Sequence, residues 1–372
     1  MGISIQQRMT DTGGRTTGFD YLRIGLAVAV VFWHTFPIAY GPVAGNFGEV
    51  GAIRPFYFFI LPSFFALSGF LVAGSLERNR SLIRFASLRA LRIVPALAVE
   101  VVLSALLLGS LLTTLPLRTY FANPELHHYF LNIVGLIHFQ LPGLFETNPL
   151  PRIVNRQLWT IPYELRCYIA LALFAGFAIE RRRWLFLICV VAIQVFDFAQ
   201  CFGHHPLGHG GINGWQLVLA FLDGVLIYKF RDLLPLSGRT YIASLALSFA
   251  LLSWIPLGDR LALPVLAYAT VYTGLLNPKA TILVKFGDLS YGVYLYGFAV
   301  QQFVASWGNW THEWYLNFAF TLPIVSLVAC FSWYCIERPA LGLRKHLVLL
   351  DPLDRWIASV QTAALSQAES VP

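Results

Sequence analysis

Apolar residues arrive along this chain in blocks separated by short stretches of Gly, Pro and charged residues. Each block is about twenty residues long, the length at which a helix crosses the ~30 Å hydrocarbon core of a bilayer. Reading the blocks against turn and charge punctuation predicts about ten membrane helices. They fall at residues 21–40, 55–76, 93–113, 158–179, 184–200, 213–229, 240–255, 261–276, 286–306 and 314–336. A further apolar stretch, 128–145, is interrupted by His138, Pro142 and Gly143. It reads as a re-entrant or interfacial segment rather than another span. Residues 114–157 include "LPLRTYFANPELHH" and "NPLPRIVNRQ", and their Pro, Asn and Arg content predicts an ordered external cap. No repeat or long linker divides the chain, so one membrane domain with short tails is expected.

Composition agrees with this pattern. Hydrophobic residues make up 57% of the chain and charged residues 12%, against roughly a quarter charged in soluble domains. The predicted fold class is therefore an all-α integral membrane protein. The net charge of +7 does not form a nucleic-acid-binding patch, because the basic residues sit in the segments between apolar blocks. Of the 26 Lys and Arg, all but Arg54, Arg118, Arg152, Arg156, Arg166 and Arg260 fall on one side if the N-terminus is cytoplasmic. That bias predicts both termini inside and an even number of spans. The polar first eighteen residues precede no small-residue cleavage site, so the first apolar run reads as a retained span. Cys167, Cys189, Cys330 and Cys335 lie in apolar segments and Cys201 at the end of one, without the spacing of a zinc site or disulfide framework.

The first span, "FDYLRIGLAVAVVFWHTF", carries Arg23 near its start and His34 deep inside. They are eleven positions apart, which at 100° per residue is three full turns plus about 20°. The two side chains share a face and lie ~16 Å apart along the axis. An arginine at the inner edge also serves as an ordinary topology anchor. A histidine in the outer half must face the bundle interior or a wet cavity, as a structural hydrogen-bonded group or as a chemical one.

The order "FDYLR", ten residues, then "H" resembles the opening motif of the membrane acyltransferase-3 family. Further matches follow in order: "FFALSGFLVAG" at 64–74, "RALRIVP" at 89–95, "QLWTIPYELRCY" at 157–168, "GDLSYGVYLY" at 287–296 and "IERP" at 336–339. The resemblance runs over residues 19–345, leaving cytoplasmic tails at 1–18 and 346–372. It implies an inner-membrane, multi-pass enzyme that moves an acyl group, acetyl foremost, from cytoplasmic acyl-CoA to a hydroxyl. The acceptor implied is a cell-surface polysaccharide, lipopolysaccharide or other glycan, or a lipid-linked sugar. Arg23 and His34 are then the residues essential for transfer. A neutral histidine suits removal of the hydroxyl proton near pH 7, and a covalent acyl-histidine is the alternative.

Arg89 and Arg92 in "RALR" match the family's RxxR element. Three positions apart on a helix, both guanidinium groups can face the phosphates of coenzyme A, although a basic loop also simply keeps its segment inside. Glu164, in "WTIPYE", matches W-[ST]-x-x-x-E near the outer end of the fourth predicted span. It is a third catalytic candidate, either orienting His34 or binding acceptor hydroxyls, with Trp159 and Tyr163 as stacking surfaces for a sugar. Pairing with Arg166 or Arg156 is its structural alternative. Ser68 and Gly69 read as small residues for close helix approach. The histidines of "GHHPLGHGG", His204, His205 and His209, read as an external loop, and no metal is expected. The chain departs from the family at "YLYG", where Gly297 stands at a position commonly held by histidine. A transporter or glycolipid flippase would use the same buried polar residues, but two similar halves are not visible. Oligomeric state is left open by the sequence.

Overall fold

The computed structural model describes residues 3–350 except 15, 50, 80, 205–210 and 286. The chain is all-helical, and β pairing among the described residues is confined to an isolated bridge between Ser4 and Pro235. A short helix, Ile5–Asp11, precedes ten helices of sixteen residues or more among the described residues. We number these α1 (Thr17–Tyr40), α2 (Arg54–Asn79), α3 (Leu82–Val102), α4 (Ile161–Gly176) and α5 (Arg183–His204). The rest are α6 (Gly214–Lys229), α7 (Gly238–Trp254), α8 (Gly258–Gly274), α9 (Ser290–Ala305) and α10 (Trp314–Ser332).

Each predicted apolar block coincides with one of these helices. Five helical runs among the described residues are long and apolar enough to cross a membrane: Thr17–Tyr40, Gly51–Arg78, Leu82–Leu112, Arg183–Cys201 and Trp314–Leu347. The helices α4 and α6 to α9, at 16 or 17 residues, extend only ~24–26 Å at 1.5 Å per residue. The lipid-facing character is plainest on α5, whose exposed side chains include Ile188, Val195 and Phe196. Such a face is satisfied by hydrocarbon and not by water.

Two local differences from the sequence pattern matter for the site. Helix α3 begins at Leu82, where the block pattern starts it at 93, because the Ser81 side chain accepts the backbone N–H of Arg84 at 2.9 Å and caps it. Arg84, Arg89 and Arg92 therefore ride on a helix rather than in a loop. Helix α4 is preceded by a 3-10 turn, Arg156–Thr160, so Glu164 lies about two turns inside the helical run.

The cap keeps its backbone groups satisfied without regular spans. It contains two short helices, Leu117–Ala122 and Pro124–Tyr129, then a 3-10 turn that ends at left-handed Gly135. Asn132 closes the following loop by donating to the His138 carbonyl at 2.9 Å and accepting the His138 N–H at 2.8 Å. Leu126, Tyr129, Leu141, Leu144 and Val154 bury the cap against the bundle. His204 ends α5, while His205 and His209 lie outside the described residues.

Helices α2 and α6 pack backbone to backbone. A side chain at Gly69 would fall on the Phe221 carbonyl oxygen, and one at Gly224 on that of Ala66. Small residues permit this approach, and dispersion contacts along it replace the hydrophobic drive that lipid removes. Around this pair, α1 packs on α9 and α10, and α8 on α2, α6 and α7. Gly69→Val is expected to destabilise the bundle by about 1–3 kcal/mol or to abolish its folding. Thermal unfolding in detergent measures this, and an unchanged midpoint would contradict the backbone contact.

Candidate active site

The bundle's inner charges converge on one carboxylate. Arg23, in the second turn of α1, places Nη1 3.0 Å from Asp288 Oδ2. Arg92, near the middle of α3, places Nη2 2.6 Å from the same oxygen. Asp288 precedes α9, and the Ser290 hydroxyl donates to its other oxygen. Arg92 also reaches Glu337 Oε2 at 3.4 Å. Glu337 is 2% exposed and belongs to a π turn, Trp333–Glu337, that continues α10. The extra residue in such a turn re-aims a side chain within an otherwise regular helix, and the Ser332 hydroxyl donates to Glu337 Oε1 at 3.1 Å.

Beside this network lies a cavity of about 140 Å³. Its polar wall contains Arg23, Arg89, Arg92, Glu164, Ser68, Thr160, Tyr168, Ser290, Tyr291 and Tyr294, and its apolar wall is built from Leu61, Phe64, Phe65, Leu71 and Phe221 among others. Arg92 and Arg23 are neutralised by Asp288 and Glu337. Arg89 is different: it has no ion pair among the described residues. Its Nη2 meets only the Ser75 hydroxyl at 3.4 Å, its guanidinium lies 6.0 Å from the Tyr168 ring centroid, and its buried Nε has no hydrogen-bond partner. Glu164 accepts the Tyr168 hydroxyl at 2.6 Å. Neither Arg156 nor Arg166 pairs with it, since Arg166 lies over the rings of Tyr163 at 4.6 Å and Trp215 at 5.5 Å. The cavity therefore presents a free cation and a carboxyl group in an otherwise neutralised charge cluster.

Of the catalytic and cofactor-binding candidates from the sequence, the cavity gathers Arg23, Arg89, Arg92 and Glu164 from three helices, and Ser68, read from the sequence as a packing residue, lines it from α2. His34, Trp159 and Tyr163 do not line it. Trp159 and Tyr163 pack edge to face at 5.9 Å, and Tyr163 lies directly against Gly214. His34 meets Phe298 edge-on at 5.1 Å, and its Nδ1 is buried without a hydrogen-bond partner. One turn before it, the Val31 carbonyl accepts Gln301 Nε2 at 2.8 Å. A side chain at Gly297 would press on Val31 and lie 3.9 Å from Gln157 Oε1. That oxygen, like those of the Gln301 and Asn317 amides, is buried and unpartnered.

Tyr168, Asp288, Tyr291 and Glu337 were not among the sequence candidates. Asp288 and Glu337 stand within "GDLSYGVYLY" and "IERP", so the signal available was an acidic residue in each matched motif. Among the described residues there is no group of three or more His, Cys, Asp and Glu placed to hold a metal ion.

A helical bundle with apolar outer faces and a cavity lined by charged side chains has the character of a multi-helix membrane protein. Comparison with known proteins specifies the chemistry. Residues 16–337 match the acyltransferase-3 family, described as an acyltransferase domain, and the chain belongs to that family. It is similar to nodulation protein 10 of Rhizobium leguminosarum bv. viciae, at 27% identity over 91% of this chain and 96% of that protein. It is also similar to the O-acetyl transferase of Shigella phage Sf6, at 26% identity over 90% of this chain and 98% of the phage protein. No solved structure matches the chain.

Asp288→Asn is expected to strand the Arg23 guanidinium, to leave Arg92 with Glu337 alone, and to destabilise the protein by about 2–4 kcal/mol, somewhat less than for a fully buried pair. Combined with Arg23→Met, the loss should fall short of the sum of the single effects. Additive midpoints in thermal unfolding would show that Arg23 and Asp288 are not coupled.

Proposed function

We propose that this acyltransferase moves an acyl group, acetyl foremost, from cytoplasmic acyl-CoA to a hydroxyl of a cell-surface glycan or lipid-linked sugar. The ten long helices all cross the inner membrane, with both termini cytoplasmic and the 114–157 cap outside. The short spans α4 and α6 to α9 cross a bilayer thinned around the protein or filled out by their flanking turns. The orientation is supported by the distribution of Lys and Arg, and the O-acetyl transfer by the phage relative of that name.

The observation that carries this reading is Arg89, a guanidinium with no ion pair among the described residues, in a cavity whose other arginines are paired. A phosphate of coenzyme A supplies the missing anion, which an arginine can hold through two parallel hydrogen bonds. Arg92 holds the cavity wall in place and adds its charge. From there the pantetheine arm extends outward along α1, and the ~16 Å between Arg23 and His34 is the run it covers. Thr160 and Tyr294, joined by a 2.6 Å hydroxyl contact, and then Gln157 give that route polar groups.

His34 acts at the outer end. The acceptor hydroxyl gives its proton to an imidazole nitrogen as its oxygen attacks the thioester carbonyl. The tetrahedral intermediate expels the coenzyme A thiolate, which takes the proton back from the imidazolium, leaving the ester and free thiol. The unpartnered oxygens of Gln157 and Gln301 supply acceptors for neighbouring sugar hydroxyls. Glu164, deep in the cavity with the guanidinium groups, serves the donor side and fixes Tyr168. Trp159 and Tyr163 form the outer approach to α4. A transporter reading has no observation in its favour once the family is assigned.

Purified protein given labelled acetyl-CoA and cell-envelope glycan tests the assignment. His34→Ala should lower kcat by 10²-fold or more, whereas Arg89→Ala should raise KM for acetyl-CoA about tenfold or more. Label transfer that survives His34→Ala unchanged removes His34 from the chemistry. Absence of acetyl-CoA binding to the wild type overturns the donor.

A further inference from the structure

A second cavity, about 610 Å³, opens where α2 and α6 end and α5 begins. It shares no lining residue with the first. Its polar wall is Glu77, Glu180, Arg181, Arg183, Lys229 and Arg231, over an apolar floor that includes Leu76 and Leu82. Most of these charges are already matched. Arg231 reaches Glu77 at 3.1 Å and lies 4.1 Å over the Tyr228 ring. Arg183 pairs with Asp232 at 2.7 Å, and Arg181 approaches Glu180 Oε1 at 3.6 Å.

Two groups are left over. Lys229 has no ion pair among the described residues, although it is half-buried at the end of α6. Glu180 Oε2 is buried with no hydrogen-bond partner. Burial also lifts the Glu180 carboxyl above its usual range against the pull of Lys229 and Arg181, so those cations do not satisfy it fully. A half-buried ammonium with no carboxylate in ion-pair contact among the described residues and a buried oxygen without a hydrogen-bond donor, facing one roomy cavity, match a ligand that is anionic at one point and donates a hydrogen bond nearby.

We propose that this cavity is a second anion site, which takes a phosphate ester bearing a hydroxyl group. Lys229 and the neighbouring arginines hold the phosphate, and Glu180 accepts the hydroxyl. Basic pockets between helices at the cytoplasmic edge are where phospholipid headgroups lodge, and a soluble phosphate ester presents the same chemistry. The inference rests on the inward orientation proposed above only for the side from which the ligand comes, and the cavity plays no part in the transfer step.

Binding is read without any activity measurement, so its failure is separable from failure of the enzymatic reading. The thermal midpoint of the whole chain in neutral detergent is followed with phosphatidylglycerol added in one arm and glycerol 3-phosphate in the other. At a hundredfold excess over Kd a rise of about 5 °C is expected. It should vanish in Lys229→Gln and persist in Lys229→Arg. A response to the lipid alone assigns the site to a headgroup, and a response to both assigns it to phosphate esters in general. If Lys229→Gln does not fold, Arg181→Gln carries the test, because the Arg181 side chain is 71% exposed, and its shift should fall by at least half. No shift with either probe, or variants that respond like the wild type, overturns the proposal.

Discussion

An arginine inside an apolar bundle needs polar partners, and one end of this bundle is organised around a carboxylate that meets two of them. Removing an ion from water costs several kcal/mol even after relaxation, and here Arg23 and Arg92 are both held on one oxygen of Asp288. The carboxylate thereby ties α1, α3 and the start of α9 to one point. Glu337 brings in the continuation of α10 through the second arm of Arg92. Two guanidinium groups and two acidic groups share this network, and their contacts fix its geometry. Arg89, one turn from Arg92 on α3, then stands out as the arginine of this cavity with no ion pair among the described residues. An anionic ligand entering the cavity would meet a guanidinium that no carboxylate among the described residues holds in an ion pair.

Much of the fold is legible because bilayer thickness is written into the length of each apolar block. That rule places the helices but not their ends. Arg84 and Arg89 look like loop residues on a hydropathy scale, whereas the Ser81 cap extends α3 down through them. The cap has no periodicity to read, since its order comes from particular contacts such as the two Asn132 bonds. At the site, Arg23, Arg89, Arg92 and Glu164 were legible from short motifs. The carboxylates that neutralise two of them were not, because Arg92 and Glu337 are 245 positions apart and nothing local announces the pair. Glu164 illustrates a subtler limit. Its motif marks it as special, but the 3-10 turn before α4 sets its depth, and with it the company of the guanidinium groups instead of His34.

Helix α9 links the two depths at which polar groups are concentrated. Ser290, Tyr291 and Tyr294 face the inner cavity. Further along the same helix, Gln301 reaches the Val31 carbonyl and Gln302 holds the cap through the carbonyls of Leu150 and Ile153. Helix α1 runs beside it with Arg23 at one depth and His34 at the other. A ligand laid along these two helices meets cations first, then hydroxyl groups, then unpartnered amide oxygens and an imidazole. That order suits a molecule anionic at one end and reactive at the other. The two ends thus differ in kind, one held by ion pairs and the other retaining buried, unpartnered amide oxygens.

Gly297 bears on what that outer site can do. Resemblance to the family makes a histidine the usual residue there, yet in this chain a Cβ at 297 would already press against Val31. A larger side chain at 297 would therefore require the Val31 side chain to shift. The neighbouring free group is Gln157 Oε1. An amide can orient a hydroxyl by accepting its hydrogen bond, but it does not take a proton near neutral pH. A histidine at 297 would offer both functions, whereas Gln157 supplies only the first. His34, whose Nδ1 is buried without a hydrogen-bond partner, is the group to which the proposed transfer mechanism assigns that proton.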